Sequence, residues 1–325
     1  MTFRVGVIGA GNHGARYLRH LVQGDARGLA AAAICRRDEN AGRRLAAEFG
    51  VPWYRSSDRL LAAGVVDAVI VATPPSSHFA LASQALAAGK PVLLEKPMTG
   101  TLAEARELTA LAEAPGAPPL MVAQTLRWHP LLQRARALWP DLGRVHLVRL
   151  AQRLQPTTLA WQRDPAATVG GSVLLTGVHL FDLVRWLTGR EFVLVESRQR
   201  QIQNPVVEDL FLARAELDDG CWASLEVSKY TQSRSCLLEA VGEEGQLAVD
   251  YLAGHLVRRR GRDELREAGD PTATTLPGVL AAWRDAILGR IAAPVTARDG
   301  LATLAIVDAC YRSAATGGPV EVTAA

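Results

Sequence analysis

Lysine is scarce in this chain: Lys90, Lys96 and Lys229 stand against 33 arginines. The formal net charge is only +3, with the two signs interleaved, which argues against a nucleic-acid surface. No apolar run reaches the length needed to span a bilayer, so no membrane role is expected. The four cysteines, Cys35, Cys221, Cys236 and Cys310, show no CxxC or Cys/His spacing. They read as small core hydrophobes of a reducing compartment rather than a disulfide framework or metal site. The opening residues run straight into an apolar strand, which predicts a cytoplasmic protein without a leader. A length of 325 residues leaves room for two domains.

Against that background the lysine at position 96 stands out. A chain that uses arginine almost everywhere and keeps this lysine points to what lysine offers, a compact ammonium whose pKa moves readily. Chance retention would give the same composition.

The opening strand, residues 3–8, leads into Gly9-Ala10-Gly11-Asn12-His13-Gly14 and then an amphipathic helix. In the strand–turn–helix context this motif holds a dinucleotide. Gly9 makes the tight turn, Gly11 lets backbone approach a pyrophosphate, and Gly14 lets the helix pack on the sheet. The first-turn N–H groups of that helix, around Asn12 and His13, face the phosphates.

The end of the second strand indicates which dinucleotide. An NAD site has a carboxylate about 20 residues past the glycines, for the ribose 2′-hydroxyl. Here Arg36 and Arg37 stand there, followed by Asp38. Two guanidiniums grip a 2′-phosphate, so NADP(H) is favoured over NAD(H). The alternative makes both arginines solvated loop charges and turns Asp38 to the ribose.

Residues 1–122 alternate strand and helix. Strands are expected at 3–8, 29–34, 65–71, 91–94 and 120–123. Helices are expected at 38–49, at 79–88, and from the capping box at Thr101 and Glu104. This predicts an N-terminal Rossmann domain with a doubly wound parallel sheet. Residues 123–325 read differently, with long strand-like runs at 145–154, 193–202, 208–217, 221–229 and 235–241. Helices are expected near 174–187, 278–288 and 302–315. The prediction is an α+β domain on one large, open, mainly antiparallel sheet, whose outer face serves as a subunit interface.

The motifs GAGNHG, VDAVIVATPPSSHFALASQALAAGKPVLLEKPMTGTLAEARELTALAE and GSVLLTGVHLFDLVRWLTG resemble the Gfo/Idh/MocA family of glucose–fructose oxidoreductases and inositol dehydrogenases. The RWHP run at 127–130, the GGS at 170–172 and the closing VDACYRS at 307–313 extend the resemblance over nearly the whole chain. It implies an NAD(P)-dependent oxidoreductase of sugars, cyclitols or related polyols that forms a homodimer or homotetramer through its C-terminal sheet. It also implies that Thr73, Pro74 and His78 line the cofactor, that Glu95 and Lys96 sit by the nicotinamide ribose, and that Arg127 joins them. Trp161 and Arg163 lie in a loop that either covers the nicotinamide or packs. By the same resemblance His179 and Asp182 match the histidine and closing aspartate of the family's D-x-x-x-H-x-x-D pattern. Asp182 either orients His179 or caps structure.

One departure matters. The pattern's first aspartate falls at Leu175, which cannot accept a proton; the neighbouring Thr176 offers a neutral hydrogen bond in its place. The expected catalytic pair is Lys96, stabilising charge on the reacting oxygen, and His179, exchanging its proton. Lys96, Thr176, His179 and Asp182 are the expected substrate contacts. Two further readings use the same scaffold. One is a non-catalytic NAD(P)- or sugar-sensing regulator, favoured by Leu175. The other is redox-assisted glycoside cleavage with a tightly held NAD, which Arg36 and Arg37 oppose.

Overall fold

The chain opens with β1 (Phe3–Ile8), α1 (Asn12–Gln23), β2 (Leu29–Cys35), α2 (Glu39–Phe49), β3 (Trp53–Tyr54) and α3 (Ser57–Ala62). It continues with β4 (Ala68–Val71), α4 (His78–Ala87), β5 (Val92–Glu95), α5 (Leu102–Ala112) and β6 (Leu120–Ala123). Local signals explain the helices. α1 buries Ala15, Leu18 and Leu21 on one face. Asp38 caps α2 by accepting from the Ala41 N–H, and Gly50 ends that helix in a left-handed conformation. The capping box at Thr101 and Glu104 starts α5 with both of its hydrogen bonds formed. The strands pair in the order β3-β2-β1-β4-β5-β6, every pair parallel. β1 and β4 are neighbours at the point where strand order reverses, and ligands of such sheets bind at the carboxyl ends there.

From there the chain runs through α6 (Pro130–Leu138), β7 (Val145–Arg153), α7 (Val178–Thr188), β8 (Phe192–Arg200), β9 (Leu210–Leu217), β10 (Trp222–Ser228) and β11 (Ser235–Gly242). Next come β12 (Gln246–Asp250), β13 (His255–Arg260), β14 (Asp263–Ala268), α8 (Leu276–Ile287), α9 (Ala297–Thr316) and β15 (Val320–Glu321). The second sheet has nine strands in the order β14-β13-β12-β11-β7-β10-β9-β8-β15. It is mostly antiparallel, with β7 and β10 a parallel pair. Its exposed face carries Trp222 (66% exposed) and Leu212 (51%), among ion pairs Arg149–Glu239, Arg153–Glu226 and Arg214–Glu196.

The computed structural model describes residues 2–164 and 167–323. Contacts divide the chain into two units, Met1–Gln124 with Thr275–Leu301, and Thr125–Thr274 with Ala302–Ala325. The sequence places 123–325 in one domain, whereas contacts group residues 275–301 with the first unit. Residues 275–301 pack and hydrogen-bond within the first unit. Trp283 is wholly buried. Arg284 Nη1 donates to the Arg27 carbonyl at 2.8 Å, the Val122 N–H to the Val295 carbonyl at 3.0 Å, and Arg298 pairs with Glu113.

β12, β13 and β14 were not expected. β13 and β14 carry charge on both faces and lack apolar alternation; cross-strand pairs such as Arg259–Glu264 line their register. All four cysteines are free and buried, and burial pushes their thiols up, that of Cys310 to about 12. Among the described residues no helix is long and apolar enough to cross a membrane.

Candidate active site

In the first unit, β1 delivers the glycine loop to the carboxyl edge of the sheet. Gly9 has φ +91°, and a Cβ there would lie 2.7 Å from the Thr73 nitrogen. A Cβ on Gly14 would lie 2.5 Å from the Gly9 carbonyl oxygen. A Cβ on Gly11 would meet no protein atom within 4 Å. Two glycines thus serve the chain's own packing, while the third faces open space where a diphosphate fits. Gly11 caps α1 without a side-chain hydrogen bond, which leaves the first-turn N–H groups to a ligand. The residues present fit a dinucleotide.

Arg36 lies at the rim of this loop, its Nη1 donating to the Ala10 carbonyl at 2.8 Å. Its own carbonyl accepts from Trp53 Nε1 at 2.9 Å. Gly42, inside α2, makes room for that indole: a Cβ there would sit 2.2 Å from Nε1. Arg37 is exposed. Asp38 is exposed and caps α2 through Oδ1.

Thr73 and Pro74 end β4's turn, half-buried. His78, expected to line the cofactor, is corrected to an internal clamp. It is fully buried, with Nδ1 2.7 Å from the Pro97 carbonyl and Nε2 2.8 Å from the Thr73 carbonyl. Burial lowers its pKa, against the pull of the two carbonyls. The ring shapes the backbone after β4 and after Lys96, whose peptide bond to Pro97 is cis.

Glu95 ends β5 and is buried. His13 Nε2 and the Tyr17 hydroxyl both donate to its Oε1, each at 2.6 Å. Burial alone would raise this carboxyl. His13, Tyr17 and Lys96 outweigh it and hold the pKa at about 2, so Glu95 is a carboxylate at any working pH. Lys96 is half-buried beside it. Burial lowers the lysine pKa and Glu95 opposes the shift. His13 lies in the first turn of α1, one turn before Tyr17 and edge-on to it. The i,i+4 spacing was the available signal for Tyr17.

In the second unit, Arg127 and Asp182 form a buried bidentate pair, Nε–Oδ2 2.8 Å and Nη2–Oδ1 2.6 Å. Removing one partner of such a pair costs about 3–5 kcal/mol, because a buried charge is left uncompensated. Arg127, expected at the cofactor, and Asp182, expected at the substrate, on His179 or as a structural cap, thus form an ion pair joining the RWHP turn to α7. His179 is the second residue of α7 and half-buried. Leu175 and Thr176 are buried in the π-helical turn Val173–Gly177 that precedes it. Trp161 is half-exposed and Arg163 exposed on a short 3₁₀ turn. That turn is held by the buried Gln162, whose carbonyl accepts from Asn204 Nδ2 at 3.1 Å and whose side chain accepts from Lys229 Nζ at 3.3 Å.

Comparison with known proteins bears on both units. The model of an oxidoreductase family, NAD-binding Rossmann fold, matches residues 3–124, and that of the same family's C-terminal alpha/beta domain matches 140–322. Inositol 2-dehydrogenase 1 of Saccharopolyspora erythraea is 33% identical over 341 aligned positions, covering 99% of this chain and 97% of that protein. D-apiose dehydrogenase of Paraburkholderia graminis is 29% identical, covering 98% and 90%. The crystal structure of GenD2 from gentamicin A biosynthesis, in complex with NAD, superposes with a TM-score of 0.89 at 28% identity, covering 99% and 97%.

Proposed function

The chain belongs to the Gfo/Idh/MocA oxidoreductase family, and from that premise we propose that it uses NADP(H) to interconvert a CH–OH group and a carbonyl on a cyclitol, sugar or related polyol. The observation that carries the reading is the His13–Glu95–Lys96 arrangement, which ties the one lysine at the end of β5 to the first turn after the glycine loop. When bound, the nicotinamide takes up or supplies the hydride. Lys96 holds positive charge against the oxygen of the reacting carbon. A half-buried ammonium acts there in a weaker dielectric than water, so the stabilisation of developing negative charge is stronger. His179 takes the hydroxyl proton in oxidation and returns it in reduction. Glu95 remains ionised and keeps the Lys96 backbone in place through its Oε2, 3.2 Å from the Lys96 nitrogen.

The cofactor preference rests on Arg36, which the Trp53 indole and the Ala10 carbonyl hold at the rim of the glycine loop. Arg36→Asp should weaken NADPH binding about tenfold or more, the loss of one or two charge-assisted phosphate contacts, and leave NADH binding within about twofold. Fluorescence titration of wild type and variant with both nucleotides checks this. Equal affinity of the wild type for the two would remove the argument for NADP(H).

The protein is proposed to work in the cytoplasm as a homodimer or homotetramer joined through the exposed face around Trp222 and Leu212, where apolar side chains are set among ion pairs. Sedimentation at micromolar concentration should show dimer or tetramer, and Trp222→Arg should shift it to monomer. A monomeric wild type contradicts the assignment.

A further inference from the structure

The glycine pair at 170–171 has its cause in two residues distant in sequence. A Cβ on Gly170 would lie 2.7 Å from the Tyr311 hydroxyl. One on Gly171 would lie 2.1 Å from the Glu208 carbonyl oxygen and 2.6 Å from Glu208 Oε2. The missing side chains let Glu208 and Tyr311 reach the start of the helical segment that carries His179.

Glu208 grips that start twice. Its carbonyl accepts from the Ser172 N–H at 2.8 Å, and its Oε1 from the Val173 N–H at 3.0 Å. The Tyr311 hydroxyl donates to the same Oε1 at 2.9 Å. These are N–H groups that a helix start leaves unsatisfied, capped here by a residue just ahead of β9 instead of a neighbour in sequence. The connection that brings Glu208 is itself anchored. The next residue, Asp209, accepts from the N–H groups of Ile202, Gln203 and Asn204 at 2.7, 2.7 and 2.8 Å.

The turn thus capped is π-helical, Val173–Gly177. A π-turn closes i→i+5 bonds and holds one residue more than an α-turn. Side chains beyond it are rotated about the axis relative to an unbroken α-helix. His179 follows two residues later, so the direction of its imidazole depends on that turn. Burial raises the Glu208 carboxyl, and the Val173 N–H and the Tyr311 hydroxyl pull against that shift.

We propose that Glu208, braced by Tyr311, is a positioning residue for His179: it caps the π-turn and so sets the direction of the imidazole. This rests on the reading of His179 as the proton-transfer group. The test uses the full chain loaded with NADP⁺, and the ring-proton NMR signals of His179, assigned with His179→Asn, decide it. They should move in Glu208→Ala by more than their linewidth and return in Glu208→Gln, which keeps an acceptor oxygen. With myo-inositol as the probe, kcat of Glu208→Ala should fall about tenfold or more while NADP⁺ affinity stays within about twofold. Unmoved His179 signals in Glu208→Ala overturn the inference. Should that variant fail to fold, Tyr311→Phe, which removes one hydroxyl, decides in the same way. Failure of the underlying reading looks different: His179→Asn then keeps wild-type turnover, whatever Glu208 does to the signals.

Discussion

Lys96→Met is expected to lower kcat about a hundredfold to a thousandfold, the range typical of removing one preorganised group that stabilises developing oxyanion charge. The lysine sits at the end of β5 next to a carboxylate held at about 2, so its charge is supported although burial works against it. Methionine fills much the same space without charge. Glu95, still bonded to His13 and Tyr17, should keep its place. NADPH affinity should therefore stay within a few-fold, and the loss should appear in kcat and kcat/KM together, as for an interaction made in the transition state. Steady-state kinetics with parallel nucleotide titration checks it. A rise in KM at unchanged kcat would reduce Lys96 to a substrate-binding group.

His179→Asn is expected to cost on the order of a hundredfold to ten-thousandfold in kcat, the usual contribution of a positioned acid/base. The substitution keeps a polar side chain at the start of α7 but nothing that exchanges protons near neutral pH. Leu175, buried one turn earlier, supplies no carboxylate from that position. The pH dependence of kcat/KM, measured for wild type and variant, should lose a limb in His179→Asn. A variant whose profile keeps both limbs and whose kcat is unchanged would show that the proton goes elsewhere.

The first sheet was legible because its strands are short buried runs ending in punctuation that has local causes. Asp38 and Thr101 cap the helices that their spacing announces, and the glycines at 9, 11 and 14 each show the clearance expected of them. What stayed hidden depends on partners far apart in sequence. Arg127 and Asp182 neutralise each other across 55 positions, a pairing that no local pattern announces. His78 looks like a cleft histidine until its two ring nitrogens are found on backbone carbonyls. Residues 275–301 carry an ordinary amphipathic pattern that does not say which unit they join. β13 and β14 hide because charged pairs line both faces, so neither period-two alternation nor a continuous apolar run marks them. Three glycines mark close approaches that no other sequence signal shows. Gly42 inside α2 marks the approach of Trp53, and Gly170–Gly171 marks that of Glu208 and Tyr311.

The central claim is that this oxidoreductase turns over a polyol with NADP(H). The most direct measurement mixes the purified full chain with NADP⁺ or NAD⁺ and a panel containing myo-inositol, scyllo-inositol, D-apiose and common aldoses, and follows the near-ultraviolet absorbance of the reduced nicotinamide. The account predicts reduction with at least one cyclitol or sugar, with kcat/KM higher for NADP⁺ than for NAD⁺, and its loss in Lys96→Met. No reduction with any member of the panel, from protein that binds NADPH tightly, would contradict it.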